Sequence, residues 1–178
     1  MRVVGLSGNI TRPSRTRGLV EAICAEIARR EGWSAEAFDL LDAGPQLGAT
    51  VSREAASEAH ARLWEAVEAC DLLVVASPVY KASYSGLLKH FFDLFDMKAL
   101  AGRTVLLGAT GKAPQHALVI EHQMRPLFGF FGAWSVPQGL FLVDADFEAD
   151  AQGRSVPGGP ARARIAAAVD QALERFRA

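Results

Sequence analysis

The run D-L-L-V-V-A-S at residues 71–77 is apolar at every position between its ends. A strand greasy on both faces belongs to a sheet covered by helices on both sides, and such sheets are parallel. The rest of the chain supplies matching pieces. Residues 2–7 (RVVGLS) and 103–109 (RTVLLGA) read as strands of the same kind. Residues 34–40 form a second, looser strand, and a fifth lies within 134–143. Between them fall helical stretches at 14–30, 53–69, 85–96 and 115–131, the first with Leu19, Ile23 and Ile27 at helical spacing. A last helix carries Ala161, Ile165, Ala168, Val169, Ala172, Leu173 and Phe176 close to the 3.6-residue period.

Strand–helix alternation through the whole chain predicts one α/β domain over residues 1–178, with parallel strands and helices on both faces. Five strands in this length favour a five-stranded, doubly wound, flavodoxin-like sheet of order 2-1-3-4-5. Sheets of that order bind ligands where the strand order reverses, at the carboxyl ends of strands 1 and 3. The functional loops should therefore follow Ser7 and Ser77. The acidic, then Gly/Pro-rich segment 144–158 is expected to be a mobile surface loop.

Composition narrows the partners. Nineteen basic and twenty acidic residues leave a formal net charge of −1, which argues against nucleic-acid binding. No stretch approaches the ~20 apolar residues of a membrane span. The chain opens directly on a strand-like MRVVGLSG, so no signal peptide is expected. Cys24 and Cys70 form no CxxC pair and read as small buried hydrophobes, which fits a reducing cytoplasm.

The loop S-G-N-I-T-R-P-S-R-T, Ser7 to Thr16, joins a buried strand to a helix start. A helix N-terminus offers free N–H groups and partial positive charge to an anion. Ser7, Asn9, Ser14 and Thr16 add short polar groups, Gly8 permits close backbone approach, and Arg12 and Arg15 add forked charge suited to a phosphate. The loop is neither a Walker A nor a GxGxxG motif, and Asp39 lies too far on for a ribose-binding carboxylate. A monophosphate is preferred to a dinucleotide as the tightly held ligand. The alternative is that Ser14 only caps the helix and the arginines form a solvated turn.

The second loop, Pro78, Val79, Tyr80, Lys81, Ala82, Ser83, contains one of the chain's two tyrosines, and Tyr84 follows directly. It presents flat faces and backbone groups fit for a planar ring. Thr110, Gly111 and Lys112 form a third loop able to add donors beside that ring and a cation near a phosphate.

Here SPVYKASYSGLLKHFFD resembles the P-x-Y-x-x-S-x-x-G-x-L-K-x-x-x-D signature of the NADPH-dependent FMN reductase family. SGNITRPSRT and ATGK are similar to that family's first and third loops. Within it the chain looks most like reductases paired with alkanesulfonate and methanesulfonate monooxygenases. The resemblance implies FMN and NAD(P)H as ligands, hydride transfer from nicotinamide C4 to flavin N5, and release of reduced FMN to a separate oxygenase. It implies that Ser7, Arg12, Ser14, Arg15 and Thr16 hold the phosphate and that Pro78, Val79, Tyr80, Lys81, Thr110 and Gly111 line the ring. It also implies a homodimer or homotetramer, and a structural role for Lys89 and Asp93. Direct hydride transfer needs no protein acid or base, so no catalytic side chain is named. The rival readings are a quinone, azo-dye or chromate reductase that retains FMN, and a flavodoxin-type electron carrier.

His60 and His90 read as surface or rim residues of their helices. His116 and His122 are six apart, the wrong spacing for a metal pair on one helical turn. Pro126 lies four residues after His122 and has no N–H for its carbonyl, which predicts a break or π-bulge there. In the sulfonate-linked relatives this region resembles a π-helix at a subunit interface near the flavin. A plain proline kink is the alternative. Phe91, Phe92, Phe95, Phe128, Phe130, Phe131 and Trp134 supply core, and some are candidates for that interface.

Overall fold

A computed structural model describes residues 1–177. Strand β1 (Arg2–Ser7) runs into helix α1 (Arg15–Glu31), whose start is capped by Ser14 and whose end is closed by Gly32 at φ 66°. Gly32 donates to the Ala28 carbonyl from the left-handed region that glycine reaches without strain. β2 (Ser34–Asp39), α2 (Glu58–Glu68), β3 (Leu72–Pro78), α3 (Gly86–Asp93) and β4 (Thr104–Gly111) continue the alternation. The chain closes with α4 (Arg125–Phe130), β5 (Trp134–Ser135), β6 (Leu140–Val143), β7 (Phe147–Ala149), β8 (Ser155–Pro157) and α5 (Gly159–Glu174).

The main sheet is parallel with order β2-β1-β3-β4-β5, and β6 also pairs β4. It therefore has six strands rather than five, because the fifth position is filled by two short pieces. Pro137 and Gly139 explain the split. Pro137 has no N–H for the ladder, and a Cβ on Gly139 would lie 2.7 Å from Ile120 Cγ2. One core packs Leu63, Trp64, Phe91, Phe92 and Phe128 on one face of the sheet. A second packs Leu19, Ile23 and Ile27 of α1 against Ile165, Val169 and Leu173 of α5 on the other. Cys24 and Cys70 are buried in these cores.

Three further expectations change, and one holds. The helix read at 53–69 starts only at Glu58, where Ser57 Oγ accepts from His60 N. The break expected near His122 is present: the stretch 115–131 is divided into a 3-10 turn at Pro114–His116, a π-helical turn at Ile120–Met124, and α4. In the π-turn Arg125 N donates to the Ile120 carbonyl, five residues back. The segment 144–158 is not a loose loop but carries an antiparallel ribbon, β7 with β8, seated on α1. A Cβ at Gly18 would meet the Ser155 carbonyl oxygen at 2.4 Å, so glycine is what lets the ribbon approach. Finally, His60 is buried at 1% exposure rather than lying on the surface, and His90 is half-buried with Nε2 3.0 Å from the Leu47 carbonyl.

Candidate functional site

The parallel register aligns the carboxyl ends of three strands: Pro78 stands beside Thr110, and Thr110 beside Leu142. On the far side, Ser7 pairs with Ala76. The loops leaving these ends enclose a cleft of about 270 Å³. A larger groove, about 810 Å³, runs along the β2 edge and α2. Its three arginines are already committed: Arg2 to Glu36, Arg17 to Glu21, Asp39 and Asp42, and Arg62 to Glu58. It touches only the turn after the edge strand β2, away from the point where the strand order reverses, so the smaller cleft is the candidate.

The first loop is braced from behind. Ser7 Oγ donates to Asn9 Oδ1 at 2.6 Å, and Asn9 Nδ2 donates to the Thr11 carbonyl at 3.0 Å and to Asp39 Oδ2 at 3.1 Å. Gly8 N donates to the Ala76 carbonyl at 2.7 Å. The Gly8 carbonyl accepts from Ser85 Oγ at 2.7 Å, while Ser85 N donates to Ser77 Oγ at 3.0 Å. Ser14 Oγ accepts from Arg17 N at 3.2 Å and caps α1. The first turn of α1 holds no acidic residue, so its positive end opens on the cleft without opposition from its own helix.

The second loop is a tight hairpin. Tyr80 N donates to the Ser83 carbonyl at 2.8 Å and Ser83 N returns a bond to Tyr80 at 3.1 Å. Lys81 and Ala82 between them have φ of 50° and 67°, the pattern of a type I′ turn. Non-glycine residues rarely take those angles, so the turn is held under strain. Ser83 Oγ also donates to Gln123 Oε1 at 3.3 Å, tying this turn to the π-helical turn beside His122. From β4, the Thr110 carbonyl accepts from Val79 N at 2.8 Å, and the Thr110 hydroxyl meets that of Thr16 at 2.6 Å.

Asn9, Ser14, Arg15, Thr16, Pro78, Val79, Tyr80, Thr110, Gly111 and Lys112 all line the cleft. Ser7 and Gly8 stand behind it as bracing, and Lys81 and Ser83 belong to the turn beyond Tyr80. Arg12 departs from expectation. Its guanidinium bonds Asp39 at 2.6 and 2.7 Å and Asp42 at 2.5 Å, and it does not line the cleft. Burial pushes the Asp39 carboxyl up, but hydrogen bonds from Arg12, Arg17 and Asn9 outweigh it and hold the pKa at about 2. The same bonds raise the Arg12 pKa. Asp144, just past β6, lines the cleft but was missed, because nothing local in a run of acidic residues marks one of them as facing a strand-end loop.

The donor set fits a flavin mononucleotide. Helix-end N–H groups, hydroxyls and Arg15 suit the phosphate, and Val79, Tyr80 and the Thr110–Gly111 backbone suit the ring. The model of the NADPH-dependent FMN reductase family matches residues 1–148. The chain is 46% identical over 177 residues to the NADH-dependent FMN reductase SfnF of Pseudomonas fluorescens, covering 99% of this chain and 92% of that one. It is 33% identical over 147 residues to an FMN reductase (NADPH) of Escherichia coli, covering 82% and 74%. Among solved structures, the apo NADH:FMN oxidoreductase EMOB superposes with TM-score 0.83 at 29% identity, covering 97% of this chain and 89% of that one. A flavodoxin of Streptococcus pneumonia superposes with TM-score 0.64 at 13% identity, covering 98% and 99%, which shows the shared fold.

Proposed function

The chain belongs to the NADPH-dependent FMN reductase family, and from that premise we propose how its loops hold the flavin and where the reduced product goes. It is an NAD(P)H-dependent FMN reductase, an oxidoreductase with FMN and NAD(P)H as its ligands. The carrying observation is that the N-terminus of α1, with no acidic residue in its own first turn, and the Tyr80–Ser83 turn border one cleft. Ser14, Arg15, Thr16 and the first N–H groups of α1 bind the phosphate; Pro78, Val79, Tyr80, Thr110 and Gly111 support the ring. FMN, when bound, supplies the hydride acceptor. The protein's own part is to hold the ring flat and leave one face open, so that the nicotinamide stacks at about 3–3.5 Å. Neither Lys112 nor Tyr80 is asked to move a proton.

The cleft is at or below the usual size for small-molecule pockets, which start at roughly 300 Å³. A flavin held there stays partly exposed, which supports FMN as an exchanging substrate. The reduced FMN then leaves for a separate oxygenase acting on a sulfonate, as the sequence resemblance implies. Steady-state NAD(P)H oxidation with and without added FMN tests this reading. Turnover that rises with free FMN, from a protein colourless after gel filtration, is the expected result. A protein that stays yellow and turns over without added FMN points instead to the flavin-retaining quinone, azo-dye or chromate reductase.

A further inference from the structure

The cleft proposed for a dianionic phosphate contains a carboxylate. β6 ends at Val143, and the next residue, Asp144, lines the cleft with a side chain about half exposed. Among the described residues its one side-chain partner is Arg15, with Nη1 and Oδ1 3.3 Å apart. Arg15 matters because the neighbouring arginines are taken. Arg12 and Arg17 are both bound to Asp39 and Asp42. Arg15 and Lys112 are the cations that line the cleft, and Arg15 is the one at the start of α1. Asp144 therefore competes with a phosphate for Arg15 and repels it as a like charge.

The carboxylate is not needed to form its own turn. That task falls to Asp146, which accepts from Val143 N at 2.7 Å and pairs with Arg164 at 2.6 Å. We propose that Asp144 is an affinity-limiting residue for the flavin phosphate. By occupying Arg15 and opposing the dianion, it keeps FMN exchanging and lets the reduced product depart. The proposal rests on the reading that the N-terminus of α1 holds the phosphate.

The test is fluorescence titration of wild type, Asp144→Asn and Asp144→Ala with FMN and with riboflavin, which lacks the phosphate. At low ionic strength FMN should bind about fivefold more tightly to both variants, the upper range for an exposed charge pair. Riboflavin affinity should not move. The gain should shrink at about 0.5 M salt, where exposed charges are screened. Equal tightening for both flavins would overturn the proposal, since that reports cleft shape. So would unchanged or weaker FMN binding by variants with wild-type circular dichroism, or a gain undiminished by salt. If the wild type binds FMN no better than riboflavin, it is the underlying phosphate assignment that fails.

Discussion

His60 is buried to 1% exposure with neither ring nitrogen hydrogen-bonded, its ring centroid 3.9 Å from that of Trp64. A buried polar ring without partners costs stability that a hydrocarbon ring of similar size does not. His60→Phe should raise unfolding free energy by about 1 kcal/mol at about pH 8, read from urea midpoints. Burial, with weaker repulsion from His90 and Arg53, lowers the His60 pKa below its ordinary 6.5. The unfolded chain then binds more protons than the folded one once pH falls past that value. The His60 contribution is therefore full above about pH 6.5 and declines below it, so the advantage of His60→Phe should widen at about pH 5. A constant gap across that range would show that the ring is not desolvated. At this scale the sequence was partly legible. Ser14, Thr16, Pro78 and Thr110 could be placed because strand ends and helix starts are local features. Arg12 could not, because the carboxylate that takes it lies 27 residues away on β2. His60 could not either, since the side of α2 that meets Phe91 is decided by packing against α3 on the same face of the sheet.

At the scale of elements, the Tyr80–Ser83 turn and the β7–β8 ribbon each depend on one backbone position. Ala82 sits at φ 67°, where a side chain is strained. Ala82→Gly should relieve that strain and stabilise the fold by about 1 kcal/mol, after allowing for glycine's greater freedom when unfolded. A lower denaturation midpoint would mean the turn is not strained as its angles indicate. The ribbon offers the opposite case. Gly18→Ala places a methyl against the Ser155 carbonyl, so either α1 or the ribbon must shift. A loss of about 1–3 kcal/mol is expected, with faster hydrogen exchange at residues 147–157 than in wild type. Unchanged exchange there would show that the ribbon does not bear on α1. The strand–helix alternation was readable from apolar runs alone. The ribbon was not, because its strands are only three residues long and find their partner, α1, more than a hundred residues earlier.

For the whole molecule, the open question is assembly. Beside the cleft, α3, α4 and the π-helical turn bound a groove of about 580 Å³ that includes Tyr84, Met97, His122 and Phe130. Met97 and Phe130 are each 66% exposed, unusual for large apolar side chains. We propose a second copy of the chain as the occupant, in line with the interface aromatics read from the sequence. Phe130→Asp should shift the species seen by sedimentation velocity toward monomer while leaving circular dichroism unchanged. A wild-type chain already monomeric at micromolar concentration would sink the proposal.

Two bonds made by one serine bear on how such a protein can be rebuilt. Ser85, at the foot of α3, grips the Gly8 carbonyl with its hydroxyl and the Ser77 hydroxyl with its amide. The two loops proposed to hold the flavin therefore form a single jaw. A chimera that imports the Tyr80 hairpin from a relative without the matching Gly8 turn would misalign both, so the two must be transplanted together.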